Sequence, residues 1–309
     1  MTNLTATSPT PIWLQLSFAV QAAEQMQAEA LLEEAGSIAI TLADAADTPI
    51  FEPGPGETPV WPLLSLTALF AVPEHVEFEQ FAQRLSGQVG SKLNDREMIL
   101  ARLEDQEWVR TCLADFQPIA ITPKFWIVPT WHEVPDTAQW ALRLDPGLAF
   151  GTGTHPTTFL CLQWLAALPE NCSSILDYGC GSGILAIGAA LRQRGAIVAT
   201  DIDDQARLAT LANASLNQVA SRITFETPTQ LREEKWQAKF DVLVANILAE
   251  PLQALAPHFA QLLQTGGKLC LSGILAKQAA AVRAAYATYF HEFELIQKED
   301  WVRISALRI

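Results

Sequence analysis

Cysteines are few in this sequence, and none lies in a CxxC pair. An odd number of widely separated cysteines fits neither a disulfide framework nor a zinc site of the usual spacing. The five are Cys112, Cys161, Cys172, Cys180 and Cys270. Isolated reduced thiols are typical of cytosolic proteins, so we expect a cytoplasmic location.

Basic residues are few in this sequence, and so are long apolar runs. Lysine and arginine total 20 against 34 acidic residues, giving a net charge of −14. Such a surface disfavours direct nucleic-acid or membrane binding and favours a basic partner. Ile184–Leu191 is too short to span a bilayer, and Met1–Thr10 lacks a signal-peptide pattern. Nothing indicates oligomerisation, so we expect a monomer.

The length of 309 residues, half of them hydrophobic, suits two domains. Over residues 1–104 the pattern predicts the order β-α-β-β-α-β of a ferredoxin-like α+β domain. The predicted strands are Trp13–Val20, Ser37–Leu42, Leu63–Val72 and Met98–Leu103, and the predicted helices are Gln21–Glu34 and Glu74–Leu85.

A connecting segment is predicted over residues 105–137. Asp105–Phe116 has the composition of a helix, and Phe125–Trp131 is an aromatic, strand-favouring run that prolines interrupt. We interpret Trp126 and Trp131 as packing residues in preference to ligand platforms.

Strands and helices alternate in the remaining domain, residues 138–309, which predicts a parallel sheet covered on both faces. The predicted strands are Ser174–Asp177, Ala196–Ile202, Ile223–Glu226, Phe240–Asn246 and Lys268–Ser272, with helices Ile184–Arg194, Asp204–Gln218 and Pro251–Leu263 between them. The last two strands, Phe293–Gln297 and Val302–Ile309, are joined by a turn too short for a parallel crossover. A mostly parallel α/β sheet whose last strand is antiparallel is the Rossmann-like arrangement of class I methyltransferases.

A glycine-rich turn follows the first strand of this sheet. It reads Asp177-Tyr178-Gly179-Cys180-Gly181-Ser182-Gly183 and opens a helix, where free N–H groups can face a ligand. Ile184 stands where the dinucleotide fingerprint needs glycine, and no Walker lysine follows. We expect Asp177, Gly179 and Gly181 to form part of a cofactor site.

The next strand ends in an acidic pair, Asp201 and Asp203. Asp201 lies 22 positions after Gly179 and is placed to accept hydrogen bonds from the two ribose hydroxyls of an adenosine ligand. Asp203 or Asp204 is expected to cap the following helix. The pattern favours S-adenosylmethionine, with NAD as the alternative.

Asn246 ends the fourth strand, at the sheet edge where open α/β folds bind ligands. It could cap a helix, or its amide oxygen could hold the N–H bonds of an amine and direct the nitrogen lone pair at a methyl group.

The segment Asp145–Thr158 is rich in glycine and threonine and could close over a cofactor. Phe150 and Gly151 are the residues that we expect to contact it there. Thr158 could donate to the ligand or cap a helix. His155 could accept a proton from an ammonium acceptor, or could be an ordinary surface or core histidine.

These segments together resemble the bacterial ribosomal protein L11 methyltransferases. The resemblance is carried by Asp145–Thr158, Ile175–Gly188 (ILDYGCGSGILAIG), Asp201–Asp203 and Asn246–Leu252 (NILAEPL). It implies transfer of methyl groups from S-adenosylmethionine, without a metal, to lysine ε-amines and the N-terminal α-amine of ribosomal protein L11. It also implies that the N-terminal domain recognises this substrate.

By position, the family's cofactor residues fall on Thr158, Gly179, Asp201 and Asn246. One alternative keeps the cofactor and changes the acceptor to a nucleobase or a small-molecule amine, although the acidic charge and the absence of a basic stripe disfavour nucleic acid. Another is a non-catalytic module that binds the ribosomal partner and retains a vestigial cofactor fold.

Overall fold

The computed structural model describes residues 12–46, 59–73, 75–93, 96–104, 116–145, 153–169, 172–193 and 195–309. The chain divides into two compact units, Met1–Thr111 and Cys112–Ile309. The predicted helix at Asp105–Phe116 lies outside the described residues except for its last position.

The first unit is an antiparallel sheet covered on one face by two helices. Its elements are β1 (Ile12–Gln21), α1 (Gln25–Glu34), β2 (Ala39–Asp44), β3 (Leu63–Val72), α2 (Phe78–Gly90) and β4 (Ile99–Glu104). The strand order β2-β3-β1-β4 separates each parallel pair by one antiparallel strand. This is the split βαβ arrangement of the ferredoxin-like fold, so the predicted order is confirmed.

Alternation along these strands separates a core face from an open face. On β1, Leu14, Leu16, Phe18 and Val20 are buried and pack with residues of α1 and α2. The intervening residues face the other way, as do their partners on β2, β3 and β4. The open-face residues are Trp13, Gln15, Ser17, Ala19, Gln21, Ala39, Thr41, Ala43, Leu63, Ser65, Thr67, Leu69, Ala71, Ile99, Ala101 and Leu103. None of them is charged.

The second unit begins with a small three-stranded sheet. Its strands are β5 (Ile119–Thr122), β6 (Phe125–Val128) and β7 (Trp140–Arg143), in the order β5-β6-β7. Phe125 and Ile127 are buried against α3 (Pro156–Ala167) and the core of the larger sheet. Residues 116–137, which the sequence assigns to a connecting segment, therefore belong to the second compact unit.

The large sheet of the second unit has seven strands. They are β8 (Ser174–Tyr178), β9 (Ala196–Thr200), β10 (Ile223–Phe225), β11 (Phe240–Asn246), β12 (Leu263–Leu275), β13 (Phe290–Lys298) and β14 (Trp301–Arg308). The order is β10-β9-β8-β11-β12-β14-β13. Strands β8 to β12 pair in parallel, whereas β14 is antiparallel to both neighbours. The class I methyltransferase arrangement is thus confirmed.

Helices cover both faces of this sheet. They are α3, α4 (Ile184–Arg192), α5 (Asp204–Leu216), α6 (Ala249–Leu262) and α7 (Ala279–Tyr286). One core forms between the sheet and α3 with α4, and a second forms against α6 and α7. Parallel strands covered in this way bring their carboxyl ends to one edge, where three connections carry the predicted site residues.

Candidate functional site

The glycine-rich turn after β8 adopts a backbone that suits glycine. Gly179, Gly181 and Gly183 have φ angles of +82°, +52° and +79°. A Cβ on Gly179 would lie 2.2 Å from Cγ2 of Ile247, the residue after β11. The turn therefore packs tightly against the connection that begins at Asn246.

Asp201 joins the end of β9 to this turn. Its Oδ2 accepts a hydrogen bond from the Gly181 N–H at 2.9 Å, and its Oδ1 accepts one from the Asp203 N–H at 3.1 Å. Asp203 caps α5 by accepting from the Gln205 N–H at 2.9 Å. The expected capping role thus falls to Asp203, and each oxygen of Asp201 retains acceptor capacity for hydroxyl donors.

Ile202, between these two aspartates, is 93% exposed. An isoleucine this exposed beside the Asp201 carboxylate offers an apolar surface to a flat ring. Sequence reasoning did not select it, although its place directly after Asp201 was a usable signal.

Asp177 is fully buried beneath the turn. Its Oδ2 accepts a hydrogen bond from the Ala186 N–H at 2.8 Å, in the first turn of α4, and no described residue partners its Oδ1. Burial raises the pKa of this carboxyl to about 7, and the charge of Asp201 adds to the effect. Because Gly183 at the helix N-cap has no side chain, Asp177 supplies the cap from the preceding strand.

Asn246 and Thr158 meet although they lie 88 positions apart. The Asn246 Nδ2 donates to Thr158 Oγ1 at 3.3 Å. Thr158 is buried in the first turn of α3, and Asn246 is half-buried at the end of β11. The cap of the next helix, α6, is Leu248, so Asn246 is not capping that helix.

His155 is the N-cap of α3. Its Nδ1 accepts from the Thr157 N–H at 3.4 Å and lies 2.8 Å from Thr157 Oγ1. The ring makes an edge contact with Trp301, with 4.7 Å between centroids. Burial lowers the pKa of His155, against an opposing effect of the Glu299 carboxylate. Burial therefore favours the neutral form of the imidazole.

Phe150 and Gly151 lie outside the described residues. The segment's next described residue, Gly153, has a φ of +90°, and a Cβ there would lie 2.4 Å from Cδ1 of Ile127 and 3.2 Å from Cδ1 of Ile184. Ile184 follows the glycine-rich turn directly, so the chain from Gly153 to α3 runs beside that turn.

The donor set fits S-adenosylmethionine. Asp201 has free acceptor capacity that suits ribose hydroxyls, Ile202 has an exposed apolar side chain, and Gly179 has no Cβ that would keep a ligand from the backbone. Asn246 and Thr158 add an amide and a hydroxyl at the same edge. Within the described residues, no group of histidine, cysteine and carboxylate side chains could hold a metal ion. The fold and the site together define a class I S-adenosylmethionine-dependent methyltransferase.

Comparison with known proteins makes the assignment specific. The family model for ribosomal protein L11 methyltransferase (PrmA) matches residues 12–308. The chain therefore belongs to the ribosomal protein L11 methyltransferase family. In the part of the chain that the structure describes, no helix is both long and apolar enough to cross a membrane.

Individual relatives agree along nearly the whole chain. The ribosomal protein L11 methyltransferase of Acinetobacter baumannii (strain AYE) is 42% identical over 297 residues, covering 96% of this chain and 98% of that protein. The one from Pseudomonas savastanoi pv. phaseolicola is 44% identical over 296 residues, covering 96% and 99%. A crystal structure of the ribosomal protein L11 methylase from Lactobacillus delbrueckii subsp. bulgaricus is 34% identical, covers 62% of this chain and 99% of that one, and superposes with a TM-score of 0.57.

Proposed function

We propose that this protein transfers methyl groups from S-adenosylmethionine to lysine ε-amines and the N-terminal α-amine of ribosomal protein L11. The observation that carries the proposal is the contact between Asn246 and Thr158, beside the connections that hold Asp201 and the glycine-rich turn. It places an amide, a hydroxyl and a carboxylate at one edge of the sheet. Since the substrate is a ribosomal protein, the reaction also implies a cytoplasmic enzyme.

The cofactor side of the site is assigned to the turn and to β9. Asp201 accepts from the ribose hydroxyls, Ile202 lies against the adenine, and Gly179 leaves room for the methionine part. Asp177 acts from below by capping α4 and so holding the turn. When bound, S-adenosylmethionine supplies a sulfonium methyl that an uncharged amine can attack in line, so the protein's main task is positioning.

The acceptor side is assigned to Asn246 and His155. The amide oxygen of Asn246 accepts an N–H bond of the incoming amine and directs its lone pair, while the amide nitrogen stays bonded to Thr158. An amine arriving as an ammonium must first lose a proton. The imidazole of His155 is the group that we assign to accept it, at Nδ1, which gives up its 3.4 Å bond from the Thr157 N–H when it takes the proton. Trp301 packs against the ring.

The first unit is assigned to recognition of the protein substrate. The open-face residues of its described strands are apolar or uncharged polar, and a hydrogen bond of 2.9 Å between Ser17 and Thr67 lies near the centre of the face. Its large apolar side chains are partly exposed, and Ile99 is 68% exposed, as is typical of a protein-binding site. The unit's remaining surface carries the charged residues of α1 and α2.

Labelled S-adenosylmethionine tests the proposal directly. The protein is incubated with the labelled cofactor and a mixture of ribosomal proteins and RNA, with Asn246→Ala as the inactive control. We expect label in ribosomal protein L11 with wild type and little with the variant. Label confined to RNA or to small amines would support the alternative acceptor, and cofactor binding without any transfer would indicate a non-catalytic module.

A further inference from the structure

Three polar side chains, two in helix α5 and one at its C-cap, bond to the glycine-rich turn and to β7. Thr210 and Asn213 are three residues apart and so share one face of the helix, and Asn217, four residues after Asn213, is the C-cap residue. Threonine and asparagine are poorer helix formers than alanine or leucine. These three residues are called the polar ridge of α5.

Each member of the ridge bonds to main chain outside α5. Thr210 Oγ1 donates to the Gly181 carbonyl at 3.2 Å, and Asn213 Nδ2 donates to the Ser182 carbonyl at 2.8 Å. Asn217 holds both main-chain groups of Arg143 on β7, accepting from its N–H at 2.7 Å and donating to its carbonyl at 2.7 Å. Asn217 also donates to the Asn213 carbonyl at 2.8 Å, which links the ridge internally.

These hydrogen bonds add to the one that Asp201 accepts from the turn. Asp201 accepts from the Gly181 N–H, while Thr210 and Asn213 hold the carbonyls of Gly181 and Ser182 on the side of the helix. Two consecutive carbonyls held toward α5 fix the orientation of the peptide groups that follow Gly181. Thr210 also lies 2.8 Å from where a Cβ on Gly183 would be, so turn and helix are in close contact.

We propose that the polar ridge of α5 is a positioning device for the cofactor, with Asn213 as its central residue. Asn213 acts through the turn, by holding the Ser182 carbonyl away from the ligand side. The proposal rests on the proposed function only for the identity of the cofactor. Losing this bond frees the turn to adopt other peptide orientations, and cofactor binding must then restore the correct one.

The test is direct binding of S-adenosylmethionine and S-adenosylhomocysteine by calorimetry, together with kcat and KM for the full-length enzyme. We expect Asn213→Ala to raise both dissociation constants about tenfold, the effect of losing one well-made hydrogen bond. We expect kcat at saturating cofactor and KM for the protein acceptor to stay near wild type. Thr210→Val, which keeps the volume and removes the hydroxyl, should act in the same direction and serves if Asn213→Ala fails to fold.

Two controls separate positioning from general stability. Ser215→Ala alters an exposed residue of the same helix and should bind the cofactor like wild type. Val282→Ala opens a cavity in the core on the opposite face of the sheet, so it should lower the melting temperature without changing the dissociation constant. Wild-type cofactor affinity in both ridge variants, or an equal loss in Val282→Ala, would overturn the proposal. Absence of methyl transfer would contradict the proposed function and leave these binding results interpretable.

Discussion

A buried carboxyl couples this protein's stability to pH. Between pH 4 and 7 the folded state binds the Asp177 proton more tightly than the unfolded chain, because the pKa rises from 3.8 to about 7 on folding. The free energy of unfolding contributed by this group therefore falls as the pH rises through that window.

Asp177→Asn should remove this dependence. The amide oxygen can still accept from the Ala186 N–H, and no charge has to be buried. We expect a flatter pH profile between pH 4 and 7 and, at pH 8, an unfolding free energy higher by on the order of 1–3 kcal/mol. Urea denaturation at a series of pH values measures both, and an unchanged slope in the variant would assign the dependence to another group.

Asp201 and Asn246 should separate cofactor binding from turnover. Asp201→Ala removes the proposed acceptors for the ribose hydroxyls. We therefore expect it to weaken S-adenosylmethionine binding about tenfold or more. Asn246→Ala should lower kcat by about a hundredfold with a smaller change in cofactor affinity, because amine orientation matters only in the reaction step. Calorimetry and steady-state kinetics measure the two quantities. Small and equal effects of both changes would contradict the assigned roles.

At the residue scale, the sequence was informative wherever a local pattern carried the signal. Asp203 could be expected to cap α5 because it stands directly before a helical stretch. The partner of Asn246 could not be predicted, since Thr158 approaches it only after α3 packs on the sheet. The capping of α4 by Asp177 could not be predicted either, because it depends on the path of the turn between Asp177 and the helix.

Two substitutions of His155 can distinguish its capping of α3 from a role in proton transfer. Alanine removes both the cap and the imidazole, whereas asparagine is a good N-cap residue without a titratable group. We expect His155→Ala to lose about 1 kcal/mol of stability and His155→Asn to lose less. If His155 accepts the proton, both variants should lose activity below pH 8 and recover part of it at higher pH, where free amines are more abundant. Wild-type kcat in His155→Asn would limit the residue to capping.

At the element scale, a strong sequence pattern predicted the first and last residues of a strand or helix well, and a weak pattern did not. β3 and β11 match their predicted ranges, because each is a long apolar run whose flanks contain turn-forming or polar residues. α7 was missed because five of its eight residues are alanine, which leaves only Val282 and Tyr286 as large apolar positions. β12 extends beyond both ends of Lys268–Ser272. β5 to β7 have only four residues each, and their pairing depends on contacts distant in sequence.

At the scale of the whole molecule, we expect the net charge and the open face of the first unit to contribute to substrate binding in different ways. The net charge of −14 favours encounter with a basic protein at long range, and added salt screens such steering. The described strand residues on the open face of the first unit carry no charge, so they contribute short-range contact only. We therefore expect salt to raise KM for the protein acceptor and to leave KM for S-adenosylmethionine nearly unchanged, as initial rates at 50 and 300 mM salt would measure. Equal salt effects on both constants would contradict this division.

The open face itself can be tested by placing one charge at its centre. Thr67→Lys puts an ammonium beside Ser17 where a neutral hydroxyl now lies. Burying that charge against a partner should raise KM for ribosomal protein L11 by about tenfold or more, while the dissociation constant of S-adenosylmethionine stays at its wild-type value. Gln83→Lys on the exposed side of α2 adds the same charge to the same unit and should change neither quantity. If the two variants have equal acceptor KM values, recognition does not use this face.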